Sequence, residues 1–314
     1  MRDLYVLDPE WTHLNHGSFG ACPRPVLDEY QRLQRELERG PTEFFRGVPD
    51  RIAAARAELA EFVGADPEGL LFMQNVTLGV NAVAQSLRLG PGDEVLATDH
   101  EYGSNNLLWQ YLADRDGFEF VRRPFDSPDD FWAGVNERTR VLFVSHIASE
   151  TASRFPVEDL CTRAREARIV SIVDGAHAPG HLDLDLATVG ADVYAGNCHK
   201  WLSAPKGSGF LHVAEAHRDR LEPHVIGWGW ADDAAFRRPP PGPGHARSVR
   251  FSERPRRDRL PARARLAGRA RPLPRTPAGE RGAARPRAHR PGLRPDGRAR
   301  AAGVRPGRAV APPA

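Results

Sequence analysis

Lysine is almost missing from this chain: Lys200 and Lys206 are its two lysines, against 42 arginines. A guanidinium stays charged in proteins, so chemistry that needs a neutral amine falls to one of those two positions. Cysteine is scarce as well. Cys22, Cys161 and Cys198 are odd in number and far apart, which speaks for reduced thiols and against a disulfide framework or a zinc site, so no metal is expected. No run approaches the ~20 apolar residues of a membrane span. The opening MRDLYVLDPEW also lacks the basic and apolar stretches of a secretion signal, so a cytoplasmic protein without a membrane partner is expected. A Gly-x-Gly-x-x-Gly after a strand is absent too, which sets dinucleotide dehydrogenases aside.

Residues 254–314 lack a whole class of side chains. They contain no Ile, Phe, Tyr, Trp, Asn, Gln, Met or Cys, while Arg, Ala, Pro and Gly fill 50 of the 61 positions. Such a segment cannot bury a core. Its 18 arginines face three acids, a net charge of +15, so the overall +3 leaves −12 on residues 1–253. The basic balance is therefore no nucleic-acid footprint of the whole chain, and no nucleic-acid partner is expected. All four dominant residue types use codons that begin with two G or C bases, as a GC-rich gene read out of frame would give. A frameshift near residues 235–253 is the expectation; a natural disordered basic tail is the alternative.

From about residue 50 to 213 helical and strand patterns alternate, which predicts an α/β fold with a mostly parallel, doubly wound sheet. Helices are expected over Tyr30–Glu38, Arg51–Val63, Leu78–Leu87, Asn105–Arg115 and Val157–Ala167, the last opened by Pro156. Strands are expected at Leu70–Met73, Glu94–Ala97, Phe118–Arg122, Val141–Ser145, Ile169–Val173, Asp192–Ala195 and Gly209–Val213, with Ile169–Val173 central. The implied organisation is an N-terminal segment 1–50, a large domain 51–235 and the tail 236–314.

Ligands of open α/β sheets sit beyond the carboxyl ends of the strands, so polar residues just after apolar runs come first. Asn75-Val76-Thr77 lies between a strand and a helix, where free N–H groups and a hydroxyl would cradle a phosphate, or where Asn or Thr simply caps the helix. Asp174 ends a buried strand; a carboxylate there needs a cationic partner, unless it serves the turn that follows. Lys200 follows Gly196-Asn197-Cys198-His199, and a buried amine with a lowered pKa forms an imine with an aldehyde. Lys206, in a Gly-rich loop, reads as a solvated or phosphate-side residue.

Asp174-Gly175-Ala176-His177, followed by Gly196-Asn197-Cys198-His199-Lys200-Trp201-Leu202-Ser203-Ala204-Pro205-Lys206-Gly207, resembles the cofactor signature of class V aminotransferases, and within them the isopenicillin N epimerase-like members. Supporting stretches are Leu14–Gly20, Phe62–Ala65, Asn75–Asn81, Asp99–Gly103 and Ser145–Ile147, so the likeness runs from about residue 11 to 232. The resemblance implies a fold type I enzyme dependent on pyridoxal 5′-phosphate (PLP), a homodimer in its intact form, acting at Cα of an amino-acid-like substrate. It further implies that Lys200 carries the cofactor as an aldimine and shuttles the α-proton, and that Asp174 pairs with the pyridine nitrogen.

His177 would then lie near the ring or its phenolic oxygen, and His146 near that oxygen. Val76, Thr77, Asn197 and His199 would hold the phosphate. Tyr102 would stack on the ring, with His100 as its rival. The strip Asn15-His16-Gly17 would line the substrate side or cap the domain. The same constellation serves epimerisation, transamination, desulfuration and β-elimination. Nothing after residue 253 matches the C-terminal small domain of that family.

Overall fold

A computed structural model of the protein describes residues 2–223 and 225. The domain boundary expected after residue 235 and the arginine-rich tail lie outside the described residues. Along the chain come α1 (Arg24–Arg39), α2 (Pro41–Phe62), β1 (Leu70–Met73), α3 (Val76–Ser86), β2 (Glu94–Thr98), α4 (Gly103–Asp116) and β3 (Glu119–Arg123). They are followed by α5 (Pro128–Trp132), β4 (Thr139–Ser145), α6 (Val157–Glu166), β5 (Val170–Gly175), α7 (Leu186–Val189), β6 (Val193–Asn197), β7 (Gly209–Val213) and α8 (Glu215–Arg218).

The strands make a seven-stranded sheet in the order β1-β7-β6-β5-β4-β2-β3. Strands β6, β5, β4, β2 and β3 are parallel, and β7 runs antiparallel to both β6 and β1. Successive side chains of a strand point to opposite faces, and here both faces are covered. Val95, Ala97, Val141, Phe143, Ile172 and Val193 pack on one side against Val80 of α3 and Trp109 of α4. Leu96, Leu142, Val144, Val173 and Tyr194 pack on the other against Leu160 of α6 and Leu186 of α7. Each such fully buried Val, Leu, Ile or Phe side chain contributes about 1.5–3 kcal/mol. The doubly wound α/β class is therefore confirmed, with β5 at the centre of the sheet.

The N-terminal helices differ from expectation in length. α2 begins ten residues before the expected Arg51 and passes through Pro49, so the expected boundary between residues 50 and 51 falls inside a helix. Proline removes one intrahelical hydrogen bond. The helix continues past it, with Arg51 paired with Glu36 of α1 and lying over the Phe44 ring, 4.8 Å from its centroid. Among the described residues no helix is long and apolar enough to cross a membrane.

Candidate active site

Beyond the carboxyl ends of β4, β5 and β6 lies a cavity of about 330 Å³. Its floor, at the strand ends, is Ser145, Asp174 and Asn197, and it is also lined by the turn Asn75–Thr77, Tyr102, the strip Gly17-Ser18-Phe19 and Lys200. The parallel register sets the floor, since Ser145 pairs with Asp174 and Gly175 with Gly196.

Asp174 is 4% exposed. Its Oδ1 accepts the Ala176 N–H at 2.9 Å and its Oδ2 the Asn105 side-chain amide at 2.6 Å. Burial raises its pKa, while the Ala176 N–H, the Lys200 charge and Asn105 pull it down. Behind it, Glu101 accepts from Thr98 Oγ1 at 2.6 Å, Ser145 Oγ at 2.6 Å and the Ser145 N–H at 3.1 Å. Burial nevertheless pushes the Glu101 carboxyl up to about 7.

Lys200 Nζ sits 3.0 Å from His177 Nε2, and His177 Nδ1 accepts the Trp201 indole N–H at 3.2 Å. Burial lowers the Lys200 pKa and the Asp174 charge opposes that drop. Burial, with the neighbouring Lys200 charge, pushes His177 down to about 4. The strip over these groups is held by Lys206, whose Nζ donates to the Gly20 carbonyl. Close approach there demands glycine: a Cβ on Gly17 would fall 2.9 Å from both His177 and Trp201.

At the N-terminus of α3 the Asn75 side chain caps the helix through the Leu78 N–H at 2.9 Å. The Val76 N–H, expected to face a phosphate, is occupied by Asn197 Oδ1 at 3.0 Å. That bond leaves the Asn197 amide as a donor; the Thr77 N–H and hydroxyl have no partner among the described residues. His199 also lines the cavity, with Nδ1 2.6 Å from the Ser208 carbonyl oxygen.

Of the residues singled out from sequence, Lys200, Asp174, His177, Thr77, Val76, Tyr102, Asn197 and His199 meet at this cavity, and His146 does not. Strand alternation turns Ser145 and Ile147 toward it and His146 away; the His146 ring is 1% exposed and its Nδ1 meets the Tyr194 hydroxyl at 2.9 Å. Tyr102 lines the cavity, whereas His100 packs against Phe155 at 5.6 Å between centroids. Sequence reasoning missed Glu101, Asn105 and Trp201. Glu101 and Trp201 stand inside motifs already noted, but their partners lie 44 and 24 positions away. No group of three or more His, Cys, Asp or Glu side chains among the described residues is placed to hold a metal.

These residues fit PLP. An amine with lowered pKa, a buried carboxylate in need of a cation, and a helix N-terminus with an unpartnered amide lie around one cavity. The sequence profile of the family described as Aminotransferase class-V matches residues 22–238. Isopenicillin N epimerase of Amycolatopsis lactamdurans is 42% identical over 74% of this chain and 61% of its own length. The enzyme of that name from Streptomyces clavuligerus is 40% identical over 82% of this chain and 66% of its own. Among solved structures, a lysine-to-alanine variant of C-DES with glycine covalently linked to its PLP cofactor matches with a TM-score of 0.69 and 26% identity, covering 73% of this chain and 63% of that one. The chain thus spans somewhat under two thirds of the length of the relatives it matches. With the profile matched over most of its length and a doubly wound sheet that brings lysine and aspartate to one cavity, the chain belongs to the class V aminotransferase family of PLP-dependent enzymes.

Proposed function

We propose that the chain acts at Cα of an amino acid or amino-acid-derived substrate, with Lys200 as the lysine that holds PLP and with isopenicillin N epimerase-like chemistry. The observation that carries this reading is the placement of Lys200 in the cavity, its pKa lowered by burial, beside the buried carboxylate of Asp174. Bound PLP supplies an electron-withdrawing ring that labilises a bond to Cα.

The protein's own groups do the rest. Lys200 gives up its proton more readily than an exposed lysine, so it suits removal and return of an α-proton. Asp174, fixed by Asn105 and the Ala176 N–H, would pair as a carboxylate with a cationic ring nitrogen and hold it in its charged form. Thr77, Asn197 and His199, which line the cavity, would hold the phosphate, Tyr102 would cover the ring, and His177 would serve the phenolic oxygen. The strip Gly17–Phe19, which lines the cavity, would help to keep water from the reacting carbon. A homodimer is the working form of this reading, supported by Leu107 and Tyr111 of α4, which are 74% and 62% exposed, and the cytoplasm is its proposed location.

The second reading is C–S bond cleavage, favoured by the likeness to C-DES, a cystine C–S lyase. The test is incubation of the PLP-loaded full chain in D₂O with isopenicillin N, a panel of L-amino acids and cystine. Deuterium at Cα with inversion and an intact side chain supports epimerisation. Sulfur release from cystine without inversion of any substrate supports the lyase, and neither exchange nor cleavage overturns both.

A further inference from the structure

We propose that Trp201 is a positioning residue whose indole N–H fixes the tautomer of His177 and thereby keeps Lys200 as a free amine. The inference deepens the role given above to Lys200 and rests on it. An indole nitrogen only donates. With Trp201 Nε1 directed at His177 Nδ1 at 3.2 Å, a proton on Nδ1 would set two N–H groups against each other with no acceptor between them. The bare nitrogen is therefore Nδ1, and the proton of the neutral ring sits on Nε2.

That Nε2–H faces Lys200 Nζ at 3.0 Å. An ammonium has donors and no lone pair, so this contact is a hydrogen bond only when the amine is neutral and accepts. The low pKa of His177, caused first by burial, agrees with a neutral ring that never carries protons on both nitrogens near neutral pH. The other titratable groups facing Lys200 are Asp174 from the end of β5, which favours the ammonium, Tyr102 at the start of α4, whose ring centroid lies 5.9 Å from Nζ, and His199. The His177 N–H counters Asp174. With Lys200 engaged by a bound cofactor, the same His177 N–H would remain a donor toward the cavity, which suits an anionic oxygen there.

The indole is itself held in place. It lies against His181, with centroids 4.7 Å apart and planes 31° from parallel, and near His16 at 6.2 Å. Gly17 lets the strip close over the Trp201–His177 pair, since any Cβ would collide with both rings.

The test uses the full chain with ¹⁵N-labelled histidine and Trp201→Phe, which keeps the aromatic packing and removes the N–H. The His177 resonances are identified by their loss in His177→Gln. In the parent at neutral pH the proton should be on Nε2, and in Trp201→Phe the ring should become a mixture of tautomers. A proton on Nδ1 in the parent, or an unchanged tautomer in the variant, overturns the proposal; the parent spectrum decides it even if the variant fails to fold. The pH midpoint for the reaction of Lys200 with added PLP should rise by about one unit in Trp201→Phe, a tenfold smaller free-amine fraction at a given pH. An amide has no tautomers, so adding Trp201→Phe to His177→Gln should shift nothing; an equal shift in that background marks a merely structural role and overturns the proposal. Borohydride labelling of a residue other than Lys200 would overturn the role of that lysine and leave the tautomer result intact.

Discussion

The side-chain amide of Asn105, on α4, reaches across to donate to Asp174 Oδ2 at 2.6 Å, so the carboxylate at the end of the central strand is oriented from a helix 69 residues earlier in the chain. Asn105 itself is completely buried. A hydrogen bond to a charged group contributes roughly 1.5–3 kcal/mol. Asn105→Ala should lose stability of that order in urea denaturation and should raise the pKa of Asp174, visible as a shift in the pH dependence of the bound cofactor's absorbance. A variant with the parent's stability and the parent's pH dependence would remove Asn105 from the site.

Asp174→Asn should keep some cofactor and lose turnover on the order of a hundredfold or more, the magnitude typical of removing a positioned electrostatic group. An amide cannot stabilise a protonated ring nitrogen. The defect is expected in kcat and in kcat/KM alike, and steady-state kinetics within a few-fold of the parent would count against the pyridinium role.

Glu101 gives a stability prediction with a definite sign. Its carboxyl titrates at about 7 in the fold against an ordinary 4.5, so between those values the folded state binds more protons than the unfolded one. Stability from this group is therefore full below about 4.5, declines as pH rises through the window, and is constant above about 7. Glu101→Gln should remove that decline. Urea midpoints of parent and variant, measured from pH 4 to 8, should converge toward low pH and separate toward high pH in favour of the glutamine; parallel curves would show that Glu101 titrates normally.

Gly20 lies so close to the His199 and Lys200 carbonyl oxygens that a Cβ would overlap backbone, which cannot swing aside. Gly20→Ala should displace the strip over the cavity at a cost of about 1–3 kcal/mol. Limited proteolysis should then cut faster between residues 13 and 22, and PLP should bind about tenfold more weakly, as expected for loss of roughly one to two kcal/mol. Unchanged cleavage and affinity would mean the strip is not needed to close the site.

The central sheet was legible because its strands are apolar runs: β4 and β5 bury residues on both faces, and Asp174 stands where the run ends. Lys200, which lies in the cavity, was singled out because lysine is so rare here. The direction of His146 was not, because the likeness of the Ser145–Ile147 stretch gives a position along the strand, while the pleat decides which neighbour faces the cavity. The reach of α2 was hidden by Pro49, which reads as a break unless the packing of Arg51 against α1 and Phe44 is known. Asn105 and Trp201 stayed unassigned for a common reason. Each reaches the site through a contact with a second side chain, Asp174 or His177, and no local pattern encodes that contact.

The placement of the cofactor on Lys200 is tested most directly by borohydride reduction of the PLP-loaded full chain followed by peptide mapping. The parent should be yellow before reduction and should carry a single reduced pyridoxyl adduct on Lys200. Lys200→Ala should carry none. An adduct on Lys206, or a folded, PLP-saturated parent with no adduct at all, would contradict the assignment.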